Sequence, residues 1–222
     1  MDGMGQNGNL VTRLKRAVGE PLANWREVYE SFSPVDLETG ERRPRVPEPG
    51  EDSRQAAVLM PIVLAPEGAC IVYTLRTGEL QDHAGQVSFP GGSLEPQDSS
   101  LLATALREAE EEVDLKPDLV EVIGELEEMY IPPSKFLVRP FVGLLSREAE
   151  LALAPEEVEK IFSVSLEELM SPAAFKKVVW EREGRLYEVP IFAVEGHEIW
   201  GATAAMTAGL LARLGWKSED TT

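Results

Sequence analysis

The run Arg107-Glu108-Ala109-Glu110-Glu111-Glu112 places four carboxylates within five positions. On a helix, Glu108 and Glu112 are four apart and share a face, and Glu111 is three from Glu108. Like-charge pairs at this spacing cost roughly 0.2–0.5 kcal/mol each. A hard divalent cation removes that cost, and Mg²⁺ takes oxygen ligands, usually one or two carboxylates with phosphate oxygens and waters. A solvated acidic face is the plain alternative, since charge runs are usually solvated. The turn ahead of the run shifts the balance. Pro90-Gly91-Gly92 breaks the chain, and adjacent glycines allow positive φ and close backbone approach. That backbone can offer a carbonyl to a metal or N–H groups to phosphate, so turn and carboxylates together can hold a metal-bound phosphate.

Two elements must position these groups. Residues 86–89 alternate polar and apolar (Gln86, Val87, Ser88, Phe89), which suits a half-buried strand. Residues 99–113 read as a helix capped by Asp98 or Ser99. Leu102, Ala105, Leu106, Ala109 and Val113 form its apolar stripe.

The pattern resembles the Nudix box, the metal-binding loop–helix of hydrolases that cleave nucleoside diphosphates linked to another moiety. Gly92, Arg107, Glu108, Ala109, Glu111, Glu112 and Leu115 match it. Asp98 stands where the box has its first Glu, one extra residue separates it from Arg107, and Asp114 replaces the usual Gly. The extra residue is shared with the coenzyme A diphosphatase branch of the family. So is the upstream motif Gly85-Gln86-Val87-Ser88-Phe89-Pro90-Gly91-Gly92, preceded by Thr74-Leu75-Arg76, with Gln81 where that motif has an Arg. The segments from Ser134 to Gly143 and from Ile199 to Ala204 resemble the same branch.

The resemblance implies a Nudix fold, an α/β/α sandwich around a mixed β-sheet, with Mg²⁺ or Mn²⁺ as cofactor. It implies Glu108, Glu111 and Glu112 as metal ligands and catalytic groups. Glu111 is a ligand or the base that deprotonates water, and Arg107 pairs with Glu111 or Asp98 to hold the box rigid. The substrate implied is coenzyme A or its thioesters, cleaved to 3′,5′-ADP and 4′-phosphopantetheine. Arg76, Lys135 and Arg139 are candidates by position for its phosphates, beside Gly91 and Gly92. A diphosphatase for ADP-ribose or other nucleoside diphosphate derivatives is the alternative, and a non-catalytic nucleotide-sensing module the third. The costly Glu108/Glu111/Glu112 cluster argues against the third, because a mere binder has no need of it. Glu157 is a further candidate ligand or base, and His83 for a supporting role beside the motif glycine.

Totals bound the rest. A net charge of −18 over 222 residues argues against a nucleic-acid partner. It also means that an anionic substrate needs cations and a few well-placed basic groups. The single cysteine, Cys70, excludes an intramolecular disulfide and fits a reducing cytoplasm. Its apolar neighbours predict burial in a strand. No signal peptide is expected, and the apolar runs are too short to span a membrane.

Along the chain, residues 1–54 read as a short helix at 9–18 and then an extended, Pro- and charge-rich arm at 31–52. Its cluster Arg42, Arg43 and Arg45 is solvated, or lies over the site or over a partner subunit in a homodimer. Residues 55–215 read as the hydrolase domain. It has strands at 55–64, 69–75, 119–129 and 136–145, Pro140 marking an edge or bulge, a capped helix from Ser165, and a hairpin at 176–194. A small-residue helix ends near Leu214, and residues 216–222 read as a polar tail.

Overall fold

Successive residues on the long strands alternate between two separate buried layers, so one sheet is covered on both faces. The computed structural model describes residues 3–42, 53–65, 68–78, 85–132, 134–146 and 149–217. The chain opens with α1 (Gly3–Gly19), α2 (Trp25–Ser31) and β1 (Val35–Asp36). The hairpin β2 (Arg54–Ala65) and β3 (Gly68–Arg76) is followed by β4 (Val87–Ser88), β5 (Gly91–Ser93) and α3 (Leu101–Val113). Then come β6 (Val120–Glu125), β7 (Met129–Ile131), β8 (Phe136–Leu145), β9 (Val158–Ser165) and α4 (Leu166–Met170). The chain closes with β10 (Phe175–Arg182), β11 (Arg185–Val194), β12 (His197–Trp200) and α5 (Gly201–Arg213).

Eight strands form a mixed sheet whose spine runs β4-β3-β2-β8-β6, with β5 also on β2, β7 on β8 and β9 on β3. Among the described residues, only β2 and β8 pair in parallel. On one face Ala57, Leu59 and Val72 pack against Ala105, Ala109 and Val113 of α3. On the other, Met60, Ile62, Tyr73 and Val142 meet α1, α2, α5 and the smaller sheet of β1, β10, β11 and β12. This is the expected α/β layering about a mixed sheet. Among the described residues, no helix is long and apolar enough to cross a membrane.

Several expectations change. Part of the predicted arm is ordered: α2 ends at Ser31, and β1 pairs with β11. Phe32 is fully buried, its ring 5.2 Å from that of Phe192. Trp216, read as the start of a tail, is 8% exposed and joins the same core. The packing therefore does not divide at 54/55 or 215/216. Pro140 is not on an edge: β8 has β2 on one side and β6 and β7 on the other. Pro140 falls between the two partners on the second side, where a missing N–H is tolerated, and its carbonyl accepts from Leu126 N at 2.9 Å. Cys70 is half-buried, not buried: it shares the α3 face of β3 with the buried Val72 but lies nearer the start of the strand. Gln81, His83, Arg43 and Arg45 lie outside the described residues.

Candidate functional site

Spacing fixes the face of a helix residue, and the sheet fixes its depth. Glu112 is 2% exposed, because α3 packs on β2 and β5. Its Oε1 accepts from Arg76 at 3.5 Å, and its Oε2 has no hydrogen-bond partner among the described residues. Arg76 reaches it from the irregularity where β3 shifts register against β9 between Leu75 and Arg76, the kind of bulge that re-aims a side chain. Burial pushes the Glu112 carboxyl up to about 8; Arg76 opposes the shift, Glu108 and Glu157 add to it, and a backbone hydrogen bond from Gly91 opposes it weakly. Glu108, 15% exposed at its side chain, is also raised, first by burial, with Arg107 opposing and Glu111 and Glu157 adding to the shift.

Gly91 and Gly92 do not form a free turn. They start β5, where Gly91 pairs with Val58 and Gly92 with Ala57, and neither has a positive φ. Glycine is required there for close approach. A Cβ on Gly92 would come under 3.0 Å from both carboxylate oxygens of Glu108.

Arg107 clamps the loop to the helix. Its Nε and Nη2 donate to the two oxygens of Asp98, both at 3.0 Å. Its Nη1 donates to Glu108 at 2.9 Å and to Glu111 at 3.0 Å, and Nη2 also donates to Ser93 O at 3.2 Å. Asp98 further accepts from Thr104 Oγ1 and Glu95 N, so it does not cap α3; Ser100 does, accepting from Ala103 N at 3.1 Å. The Asp98 carboxyl, with 4% side-chain exposure, is held well below the usual carboxylate range, chiefly by its hydrogen bonds from Arg107. A depressed folded value contributes stability above the unfolded value, about 3.9, and loses it only as pH falls further. Asp98→Asn is accordingly expected to cost roughly 1.5–3 kcal/mol at pH 7. A urea midpoint at pH 7 equal to that of wild type would contradict the clamp.

The structure thus brings Glu108, Glu112, Arg76, Gly91 and Gly92 together. Glu111, at 59% side-chain exposure, sits at the rim on Arg107. Arg139 shares their row of the sheet, since Ala57 pairs with Gly92 on one side and with Arg139 on the other. Its charge is already matched by Glu128 at 2.5 Å and Glu125 at 3.8 Å. Lys135 is exposed at the turn into β8, with φ 54°, its carbonyl accepting from Arg54 N. A cleft of about 710 Å³ between Trp25, Arg26, Glu125 and Glu128 touches this row only through Arg139. Glu157 acts on both Glu108 and Glu112 through its charge, so the segment before β9 approaches the box. Sequence reasoning gave no sign of Thr104, a second buried polar residue on α3.

A divalent cation fits this donor set. A buried carboxylate with one oxygen unpartnered among the described residues, a second beside it and a third at the rim share Arg76 and Arg107 with Asp98, two positive charges for four carboxylates. Among the described residues, no three such groups stand close enough together to hold a metal as they are, and Arg107 engages Glu108 and Glu111.

Comparison with known proteins fits this geometry. The family model of the NUDIX domain matches residues 53–185. The Nudix hydrolase NudL of Photorhabdus laumondii, itself uncharacterized, is 42% identical over 156 residues, covering 70% of this chain and 82% of NudL. The NudL of Cronobacter sakazakii is 36% identical over 179 residues, covering 79% and 90%. A MutT/nudix family protein from Enterococcus faecalis superposes with a TM-score of 0.52 at 13% identity, covering 77% of this chain and 64% of that one, a likeness of fold. A loop–helix of this chemistry, inside a domain match over more than half of the sequence, leaves one assignment: the chain belongs to the Nudix hydrolase family.

Proposed function

We propose that this hydrolase cleaves the diphosphate of coenzyme A or its thioesters, giving 3′,5′-ADP and 4′-phosphopantetheine. The observation that carries the hydrolytic reading is the contact of Gly92 with Glu108 beside the buried, half-partnered Glu112. The choice of substrate is supported by the sequence segments Gly85–Gly92 and Ile199–Ala204 and the extra residue of the box. Nudix hydrolases generally use divalent metal ions. Bound at Glu108 and Glu112, Mg²⁺ or Mn²⁺ would neutralise phosphate charge and make a water more acidic.

The chain's own residues do the remaining work. Glu108 and Glu112 hold the cation, and Gly91 and Gly92 let the diphosphate approach the backbone. Glu111 serves as a third ligand or as the base that takes the water proton. The water oxygen forms a bond to one phosphorus, the bridging P–O bond breaks, and both products leave as phosphate monoesters. Arg76 and Arg107 keep the carboxylates in place; Lys135 and Arg139 are the basic groups for the 3′-phosphate.

One observation favours a second reading, a diphosphatase for ADP-ribose: Arg139 is already neutralised by Glu128 and Glu125, which leaves less positive charge for a 3′-phosphate. The experiment is a panel of coenzyme A, an acyl-coenzyme A, dephospho-coenzyme A, ADP-ribose and NADH with Mg²⁺ or Mn²⁺, products identified by mass. Coenzyme A is expected to give 3′,5′-ADP with the highest kcat/KM. Inert coenzyme A with turnover of ADP-ribose would transfer the assignment to the second reading, and no turnover of any of them would favour a sensing module.

A further inference from the structure

Gly91 and Gly92 are delivered to Glu108 by the three residues that precede Pro90, and each of the three is held by a different side chain. Thr203 Oγ1 donates to Val87 O at 3.0 Å. Thr74 Oγ1 donates to Ser88 O at 3.2 Å and meets Ser88 Oγ at 2.9 Å. The Phe89 ring stacks on Tyr73, centroids 5.1 Å apart. Thr74 and Tyr73 belong to β3, the strand that β4 already pairs with. Thr203 comes from the first turn of α5, 116 residues along the chain, and is 8% exposed. It belongs to the Ile199–Ala204 segment, which the proposed chemistry leaves without a task. Its carbonyl accepts from Thr207 Oγ1 at 2.8 Å, and Thr207 meets the Tyr73 hydroxyl at 3.1 Å.

We propose that Thr203 is a positioning residue: its hydroxyl fixes residues 87–89 so that the Gly92 backbone stays seated against Glu108. This rests on the reading that Glu108 and Glu112 hold a cation and diphosphate beside the two glycines. Slack between the anchor and the site is small. The fixed φ of Pro90 stiffens the link. Gly91 and Gly92 leave no room for even a methyl group against Ala57 O, Val58 and Glu108, so a shift of the segment is felt directly by the Glu108 carboxylate. Misplacement of about 1 Å in catalytic geometry can cost on the order of a hundredfold in rate.

The test uses the full chain, saturating Mg²⁺ and the best substrate of the panel. Thr203→Val keeps the shape and removes the donor, Thr203→Ala removes both, and Thr203→Ser restores the donor. Thr207→Val deletes the neighbouring buried hydroxyl, which does not touch Val87. Both Thr203→Val and Thr203→Ala are expected to lose roughly tenfold or more in kcat, with KM within about twofold. Thr203→Ser should stay within about threefold of wild type, and Thr207→Val should lower the melting temperature yet keep kcat within about threefold. Should Thr203→Val not fold, Thr203→Ala carries the measurement. The proposal is overturned if both donor-less variants keep kcat, if only KM rises, if Thr203→Ser fails to restore kcat, or if Thr207→Val loses kcat as they do. Glu112→Gln in the same assay separates the two levels. Turnover by that variant refutes the cation site, and Thr203's role with it, whereas its silence beside fully active Thr203 variants refutes positioning alone.

Discussion

Glu112→Gln is expected to abolish turnover and, with divalent metal chelated, to make the protein more stable in mild alkali. The loss of turnover should be on the order of a hundredfold or more in kcat, as for removal of a direct ligand. The gain in stability follows from the raised carboxyl. Its folded value, about 8, lies above the unfolded value, so its contribution is intact below about pH 4.3 and lost as pH rises through 8. At pH 8.5 the native state therefore carries a buried, ionised carboxylate with one oxygen unpartnered. Glutamine keeps the shape and removes the charge. The expected gain at pH 8.5 is on the order of 2–4 kcal/mol, several degrees in Tm for a chain of this size, and little or none at pH 5. Added Mg²⁺ should raise Tm of the wild type at pH 8.5 and leave the variant unmoved. A chelated variant that melts no higher than wild type at pH 8.5 would remove the physical basis for the cation site.

How much of this was legible beforehand depends on whether the deciding force is local. The four-residue spacing of Glu108 and Glu112 and the apolar stripe of α3 are local periodicities, and both gave the right helix face. That Glu112 is buried is not local. It depends on β2 and β5 beneath the helix and on Arg76, 36 residues upstream, which follows a register irregularity in β3. The glycine pair reads from the sequence as a turn that allows both positive φ and close backbone approach, and only the second applies. Here it signals proximity, since β5 brings both residues into a ladder with β2. Asp114, a departure from the box pattern, sits at the C-cap of α3 with φ 54°, a left-handed position that glycine adopts freely and aspartate tolerates. α2 is not among the elements expected from the sequence, although Trp25, Val28, Tyr29 and Phe32 recur at helical spacing, and β1, two residues long, is too short to show a period. α2 is covered by α5, Phe32 by its aromatic contacts with Phe192 and Trp216, and β1 by pairing with β11.

The two glycines should part company when each is given a methyl group. For Gly91→Ala, the new Cβ meets Ala57 O and Val58 Cα, backbone atoms of the neighbouring strand, under 3.0 Å away. Neither can yield without opening β5 from β2, so the cost falls on folding, roughly 1–3 kcal/mol as for other overpacked sites. For Gly92→Ala, the atoms met are the carboxylate oxygens and Cδ of Glu108. These are the tip of a flexible side chain, and the backbone of Gly92 already lies where alanine is allowed. The fold therefore accommodates the methyl group by swinging Glu108 away, against its 2.9 Å contact with Arg107. If Glu108 helps to hold the cation and diphosphate, that swing removes it from the site. Gly92→Ala is expected to retain Tm within about 3 °C and to lose on the order of a hundredfold in kcat/KM. Gly91→Ala is expected to lose several degrees of Tm. Melting curves and steady-state kinetics on the two variants side by side make the comparison. Wild-type turnover by Gly92→Ala would show that Glu108 can leave its place without consequence, and the assignment of Glu108 would then be wrong.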